Sequence, residues 1–342
     1  MGIFMSNTIQ RIKVPLYQTQ LDRVADSIIK GALVHGEDLT LLENQLKKEF
    51  NRKYAVLTAN GFSAIFLTLM ALNPKKKEVI LPAISTCFSM VNAVKMAGYK
   101  ITFADVDIDS MSLNTLEENS SIVLAPNHFG KIASFNQKVE RQFTIEDSCQ
   151  AFFSSKSIKN STQVTILSFY PSKLINGIDG GVILTDNPEI YHRAKSMVYY
   201  SEQECFEERG AFNMRLNNIN ASFTLATMEH MDEIEKRLTD IYQQITERLK
   251  YKKIKFLEME GDEVASKLLL QFSTKEERDD AFNHFKEKGI EVSLELRFIA
   301  PREEQDGYIN AKRLVDTTLS LPFHPLLTND EIFMIIEEIK DL

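Results

Sequence analysis

The chain has 342 residues, 44% hydrophobic and 26% charged, which is room for about two domains and a substantial core, and which excludes wholesale disorder, collagen-like repeats and a small stapled scaffold. Its 40 basic and 48 acidic side chains give a formal charge of -8, so there is no basic footprint for a nucleic-acid backbone, although small anionic substrates stay open. Cys87, Cys149 and Cys205 show no CxxC spacing, which points to a reducing, cytoplasmic setting and away from a metal site.

The opening MGIFMSN lacks the regions of a leader peptide, and no apolar run approaches the roughly 20 residues of a membrane span. Met1, Gly2 and Ser6 fit the loose N-myristoylation pattern, but so short a match is better read as a frayed terminus.

Between residues 54 and 185, short apolar runs alternate with helical or polar stretches: YAVLT, EVILP, ITFADVD, SIVLAP, FTIED, VTILSFY and GVILT. This rhythm predicts an α/β fold, a mostly parallel seven-stranded sheet wrapped by helices, with the site beyond the strand carboxyl ends. The last run follows only a short glycine-rich loop, so it should join the sheet antiparallel. The stretch 62–72 is apolar on nearly every side and needs cover from the sheet and from something else, a subunit interface being one candidate.

Met231, Ile234, Leu238, Ile241, Ile245 and Leu249 recur at three- and four-residue steps, predicting one long amphipathic helix that leaves the sheet region. The boundary falls inside it, giving a large domain over 1–235 and a small α+β domain over 236–342. The small domain reads as KIKFLEM, KLLLQFS, the helix ERDDAFNHFKEKG, the strand-like IEVSLEL and a last helix capped by Thr328 or Asn329. Lys75, Lys76 and Lys77 read as a solvated loop.

Three segments carry candidate chemistry. In SFYPSK, Lys173 lies past a strand end in a glycine-rich loop, where desolvation can free its amine to attack a carbonyl. In IEDSCQA, Asp147 and Gln150 can turn toward one pocket, and Asp147 can hold a pyridinium nitrogen protonated. The turn TANGFS opens the apolar helix, where free N–H groups suit a phosphate. Each has a plainer reading, as a surface lysine, a capping carboxylate and an empty turn.

Taken in order with GALVHGEDLTLLE, LPAISTCFSMVNAV, NHFG, NMR and SLPFHPLLTNDE, these segments resemble the DegT/StrS family of sugar aminotransferases, which depend on pyridoxal 5'-phosphate (PLP) and have PLP fold type I. The resemblance implies that Lys173 forms the internal aldimine and shuttles the substrate proton. It implies that Asp147 pairs with the pyridine nitrogen and Gln150 with the ring. Ser168 and the backbone of Gly61 and Phe62 would hold the phosphate, and Asn213 would reach the phosphate of a neighbouring subunit, with Arg215 beside it. A homodimer with shared sites follows from that last role.

The chain also departs from the family. Phe62 stands where a phosphate-binding threonine is usual, so Ser63 or the backbone must substitute. Either Cys87 or Phe88 falls where members stack an aromatic ring on the cofactor, and Phe88 is read as core. His128 and Arg215 are further candidates for substrate or phosphate contact, with His128 more simply a hydrogen-bonded structural residue. Cys149 reads as a small buried filler, and His324 has no clear duty.

The reaction implied is transfer of an amino group, from L-glutamate, onto a nucleotide-linked keto-sugar through a pyridoxamine phosphate intermediate. The alternatives are a sugar dehydratase, a cyclitol aminotransferase and a degenerate non-catalytic homologue. No metal, nucleic acid or membrane is expected. A dinucleotide fold would need GxGxxG, which NGFSAI does not supply.

Overall fold

The computed structural model describes residues 8–72, 78–113, 122–133, 143–158, 162–199, 210–250 and 255–342. Residues 1–7, the Lys75–Lys77 run, Cys205 and most of the stretch between Tyr200 and Asn213 lie outside them.

The strands are β1 Tyr54–Thr58, β2 Glu78–Pro82, β3 Ile84–Ser85, β4 Lys100–Ala104, β5 Ile122–Pro126, β6 Phe143–Asp147, β7 Val164–Ser168, β8 Gly181–Thr185, β9 Lys255–Phe256, β10 Leu268–Gln271, β11 Arg297–Phe298 and β12 Thr318–Leu321. The helices are α1 Gln18–Ile29, α2 Glu37–Glu49, α3 Gly61–Ala71, α4 Ser89–Met96, α5 Phe152–Ser157, α6 Pro188–Val198, α7 Asn218–Met228, α8 Met231–Leu249, α9 Lys275–Glu287, α10 Ile309–Thr317 and α11 Asn329–Lys340. No helix among the described residues is long and apolar enough to cross a membrane.

All seven predicted runs enter one sheet, in the order β1-β8-β7-β6-β5-β2-β4. Except in the edge strand β4, their valine, isoleucine and leucine side chains are buried on both faces, as a helix-wrapped parallel sheet requires. Strand β8 is antiparallel to both β1 and β7, as the short preceding loop predicts. Gly181 therefore pairs with Thr58 on one side and Ser168 on the other, which brings the end of β1 beside the end of β7.

Helix α3 is the all-round apolar helix. It is capped by Asn60, whose Oδ1 accepts the Ser63 N–H at 2.9 Å. Strands β1, β7 and β8 cover it on the sheet side, and α4 and α6 supply the rest, so the second cover comes from this chain. In α8 the six residues at helical spacing are the buried ones. They join one apolar cluster that runs from Leu39 and Leu42 in α2 to Ile335 and Ile339 in α11.

The C-terminal elements form a three-stranded sheet, β12-β10-β9. Thr328 is the cap of α11, with Glu331 completing a capping box. The strand expected over IEVSLEL is not one. Only isolated bridges hold it, Ile9 to Ile290 and Ser293 to Ser320, because the N-terminal segment takes the first half as its partner and β12 touches it at one residue. Its continuation, β11, pairs instead with β3, and this ties the C-terminal part to the rim of the main sheet.

Candidate active site

Thr58, Pro126, Asp147 and Ser168 end β1, β5, β6 and β7 on the same edge of the sheet. Beyond that edge lies a cavity of about 520 Å³, within the roughly 300–1,000 Å³ usual for small-molecule sites. Its wall includes Gly61, Phe62, His128, Asp147, Gln150, Ser168 and Lys173. Seven of the predicted residues, from four separate stretches, thus meet in one place.

The loop carrying Lys173 is fixed by its own backbone. Phe169 N–H donates to Gly180 O at 2.8 Å, Gly177 N–H to Phe169 O at 2.7 Å and Lys173 N–H to Tyr170 O at 2.9 Å. A Cβ on Gly177 would lie 2.0 Å from Thr224 Oγ1, so glycine is required there for the loop to press against α7. Asn220 and Thr227 of that helix donate to the carbonyls of Asp179 and Asn176, at 3.0 and 2.8 Å.

Asp147 is 8% exposed. Its Oδ1 accepts the Cys149 N–H at 3.1 Å, and no basic side chain pairs with it among the described residues. A buried carboxylate without a cation is costly unless a ligand supplies the proton or the charge. Beside it Asn127 donates to the hydroxyls of Ser148 and Ser155, at 2.9 and 3.0 Å, and accepts the Ala133 N–H at 2.7 Å. That network stiffens the ends of β5 and β6. Gln150 donates through Nε2 to Thr86 Oγ1 at 2.9 Å and accepts the Phe129 N–H at 3.3 Å. One amide hydrogen is left for a ligand.

His128 is both structural and part of the wall. Burial lowers its pKa to about 4, against a hydrogen bond with the Ile84 backbone, so the ring is neutral at pH 7. Its Nε2 is buried without a partner. Cys149 also lines the cavity and is only partly buried. Desolvation, then the Asp147 charge, raises its thiol pKa well above the usual value, which keeps it protonated and a poor nucleophile.

Four predicted residues lie elsewhere. Ser63 turns its hydroxyl onto Asn60 Oδ1 at 2.9 Å and is 3% exposed, so it completes the helix cap and does not line the cavity. Phe88, expected in the core, is 47% exposed. It precedes α4 as the cap residue, where the turn throws the ring outward, and Cys87 is the neighbour that lines the cavity. Asn213 is exposed and Arg215 lies near Tyr199; neither lines this cavity. Their segment is held where Ala59 N–H donates to Met214 O at 2.6 Å.

Three other cavity residues, Arg11, Lys267 and Glu295, carry no sequence motif, and Thr86 lies in LPAISTCFSMVNAV without being singled out there. Glu295 lies within IEVSLEL and Lys267 opens KLLLQFS, and neither segment marks its charged residue as part of a site.

The DegT/DnrJ/EryC1/StrS aminotransferase family matches residues 16–340. The chain belongs to that family. GDP-perosamine synthase of Escherichia coli O157:H7 is 24% identical over 361 aligned residues, covering 96% of this chain and 98% of that protein. The GDP-4-keto-6-deoxy-D-mannose 3-dehydratase of Escherichia coli O55:H7 is 27% identical over 207 residues, 53% of each chain. NtdA of Bacillus subtilis, solved with bound pyridoxamine phosphate, superposes with a TM-score of 0.83 over 97% of this chain and 85% of that one, at 22% identity.

As a DegT/DnrJ/EryC1/StrS aminotransferase, the protein takes PLP as its cofactor, and the cavity fits it chemically. Asp147 is the unpaired carboxylate that a protonated pyridine needs. The first N–H groups of α3 have no intrahelical acceptor, and they open beside Ser168. A Cβ on Gly61 would stand 3.0 Å from Ser168 Cβ and 3.3 Å from Cys149 Sγ, so a larger residue would crowd the turn against the strand end.

Phe62 adds a ring where a hydroxyl would help. It lies parallel to Phe66, with centroids 6.4 Å apart and planes within 1°. Phe62→Thr is expected to tighten PLP binding about 2- to 10-fold, the worth of one neutral hydrogen bond, as read by absorbance titration of the apoprotein.

Proposed function

We propose that this aminotransferase moves the amino group of L-glutamate onto a nucleotide-linked keto-sugar. The observation that carries the reading is the meeting of Lys173, Asp147 and the Gly61–Phe62 turn on one cavity at the sheet edge. The family relatives support a sugar acceptor, since one is a perosamine synthase.

When bound, PLP supplies an electron sink for the charge that develops at the substrate carbon. The chain's own groups do the rest. Lys173 Nζ takes the proton from the substrate carbon and returns it, as general base and then acid. The Asp147 carboxylate keeps a proton on the pyridine nitrogen. The Gly61 and Phe62 N–H groups and the Ser168 hydroxyl bind the phosphate, and Gln150 spends its remaining amide hydrogen on the ring oxygen.

Asn213 and Arg215, exposed or outside this cavity, are assigned to the partner subunit's site, which makes the active unit a homodimer of two-domain chains divided near residue 235. A cytoplasmic setting goes with this reading. The dehydratase relative favours a second one, dehydration of the same sugar class. Retention of Lys173 speaks against it for the branch in which histidine replaces the lysine.

The test is to load the protein with PLP and add L-glutamate alone. The visible band is expected to collapse with release of one equivalent of 2-oxoglutarate per site, and to return when a nucleotide-linked keto-sugar is added. A band that ignores L-glutamate overturns the donor. Loss of water from the sugar in place of amination overturns the reaction.

A further inference from the structure

Arg11, Lys267 and Glu295 come from three distant stretches and meet on the same cavity as Lys173. The N-terminal segment brings Arg11 there: Ile9 N–H donates to Gly289 O at 2.9 Å, and Glu291 N–H donates back to Ile9 O at 3.0 Å. Arg11 then pairs with Glu295 Oε1, and its own N–H donates to Glu291 Oε2 at 2.9 Å. Lys267 Nζ lies 3.9 Å from that same Glu295 oxygen, attracted but beyond hydrogen-bond reach.

The three side chains are 19%, 13% and 14% exposed for Arg11, Lys267 and Glu295. Lys267 makes no hydrogen bond among the described residues. A largely buried ammonium with its donors unfilled is an expensive arrangement unless a ligand fills them. Of these three cavity-lining groups two are cations that share one carboxylate, a net single positive charge, Glu291 being exposed and outside the cavity wall. A singly charged carboxylate matches that excess better than a phosphate.

Resting on the aminotransferase reading above, we propose that Lys267 and Arg11 form the subsite for a carboxylate of the amino donor, with Glu295 holding both in place. Desolvation lowers the Lys267 pKa to about 8, with Arg11 and Lys173 pushing the same way and Glu295 opposing. Ligand binding therefore recruits a proton to Lys267, and affinity falls as pH rises through about 8. The other ionisable groups around the cavity are Asp147, Asp179, His128, Cys87, Cys149, Tyr170 and Lys173, and His324 faces Lys267 from the segment before α11. His128 titrates near 4 and the Cys149 thiol stays protonated, so neither accounts for a step there.

Isothermal titration of the PLP-loaded protein with glutarate, an unreactive dicarboxylate, tests this, with D-glucuronate as the arm for a carboxylate on the sugar. Lys267→Met is expected to weaken glutarate about 10- to 100-fold, the worth of a charged hydrogen bond. Lys267→Arg should bind within about threefold of wild type and lose the pH step near 8, while Glu295→Gln, which frees both cations and lowers the Lys267 pKa further, should weaken binding severalfold and move the pH step down. Thermal unfolding shows whether each variant is folded.

Unchanged glutarate affinity in folded Lys267→Met overturns the subsite. Dependence on Lys267 for glucuronate but not for glutarate overturns its assignment to the donor. Both results leave the response of wild type to L-glutamate untouched, so they are separate from failure of the aminotransferase reading.

Discussion

Lys173→Ala is expected to lower turnover by about 10³-fold or more, because it removes the one amine held past the end of β7 and with it both directions of proton transfer. The loaded variant should lack the visible band of wild type. The loop itself should stand, since its hydrogen bonds at Phe169, Lys173 and Gly177 are all backbone, and thermal unfolding should change little. Added methylamine is expected to restore part of the rate, as a free amine takes over the proton transfer. An active Lys173→Ala protein would move the reactive base elsewhere, with Lys267 the next amine on the cavity.

Asp147→Asn is the second large effect, a fall in kcat of about 10²- to 10⁴-fold. The substitution is isosteric, and the asparagine oxygen can still accept the Cys149 N–H that Asp147 accepts at 3.1 Å, so packing is preserved and only the charge is lost. Without that charge nothing in the wall holds a proton on the pyridine nitrogen. Asp147→Glu should recover part of the rate and move the pH profile. A variant with wild-type kcat would make Asp147 a cap and nothing more.

The sequence shows the central sheet plainly because its strands, the edge strand β4 apart, are buried on both faces and leave apolar runs, down to the reversal of β8. It also shows Lys173, Asp147 and Gly61, since strand ends in this architecture sit beside the ligand. The directions in which Phe88 and Ser63 point are hidden for a local reason. Whether a side chain at a turn faces in or out depends on the turn, and Ser63 spends its hydroxyl on Asn60, three residues back. Arg11, Lys267 and Glu295 were invisible for a global one. Their meeting depends on the N-terminal segment lying against Gly289 and Glu291, some 280 residues away along the chain, and no spacing rule spans that distance.

The contact of Gly177 with Thr224 has a consequence for where the enzyme's selectivity can change. The loop that carries Lys173 is moored to a helix whose every turn is buried, so altering the loop means repacking the core beneath it. Arg11, Lys267 and Glu295 are side-chain neighbours on stretches held by single bridges and short strands. Half of the cavity is therefore a fixed anvil and the other half an interchangeable die, and a new substrate is most readily met by recasting the die.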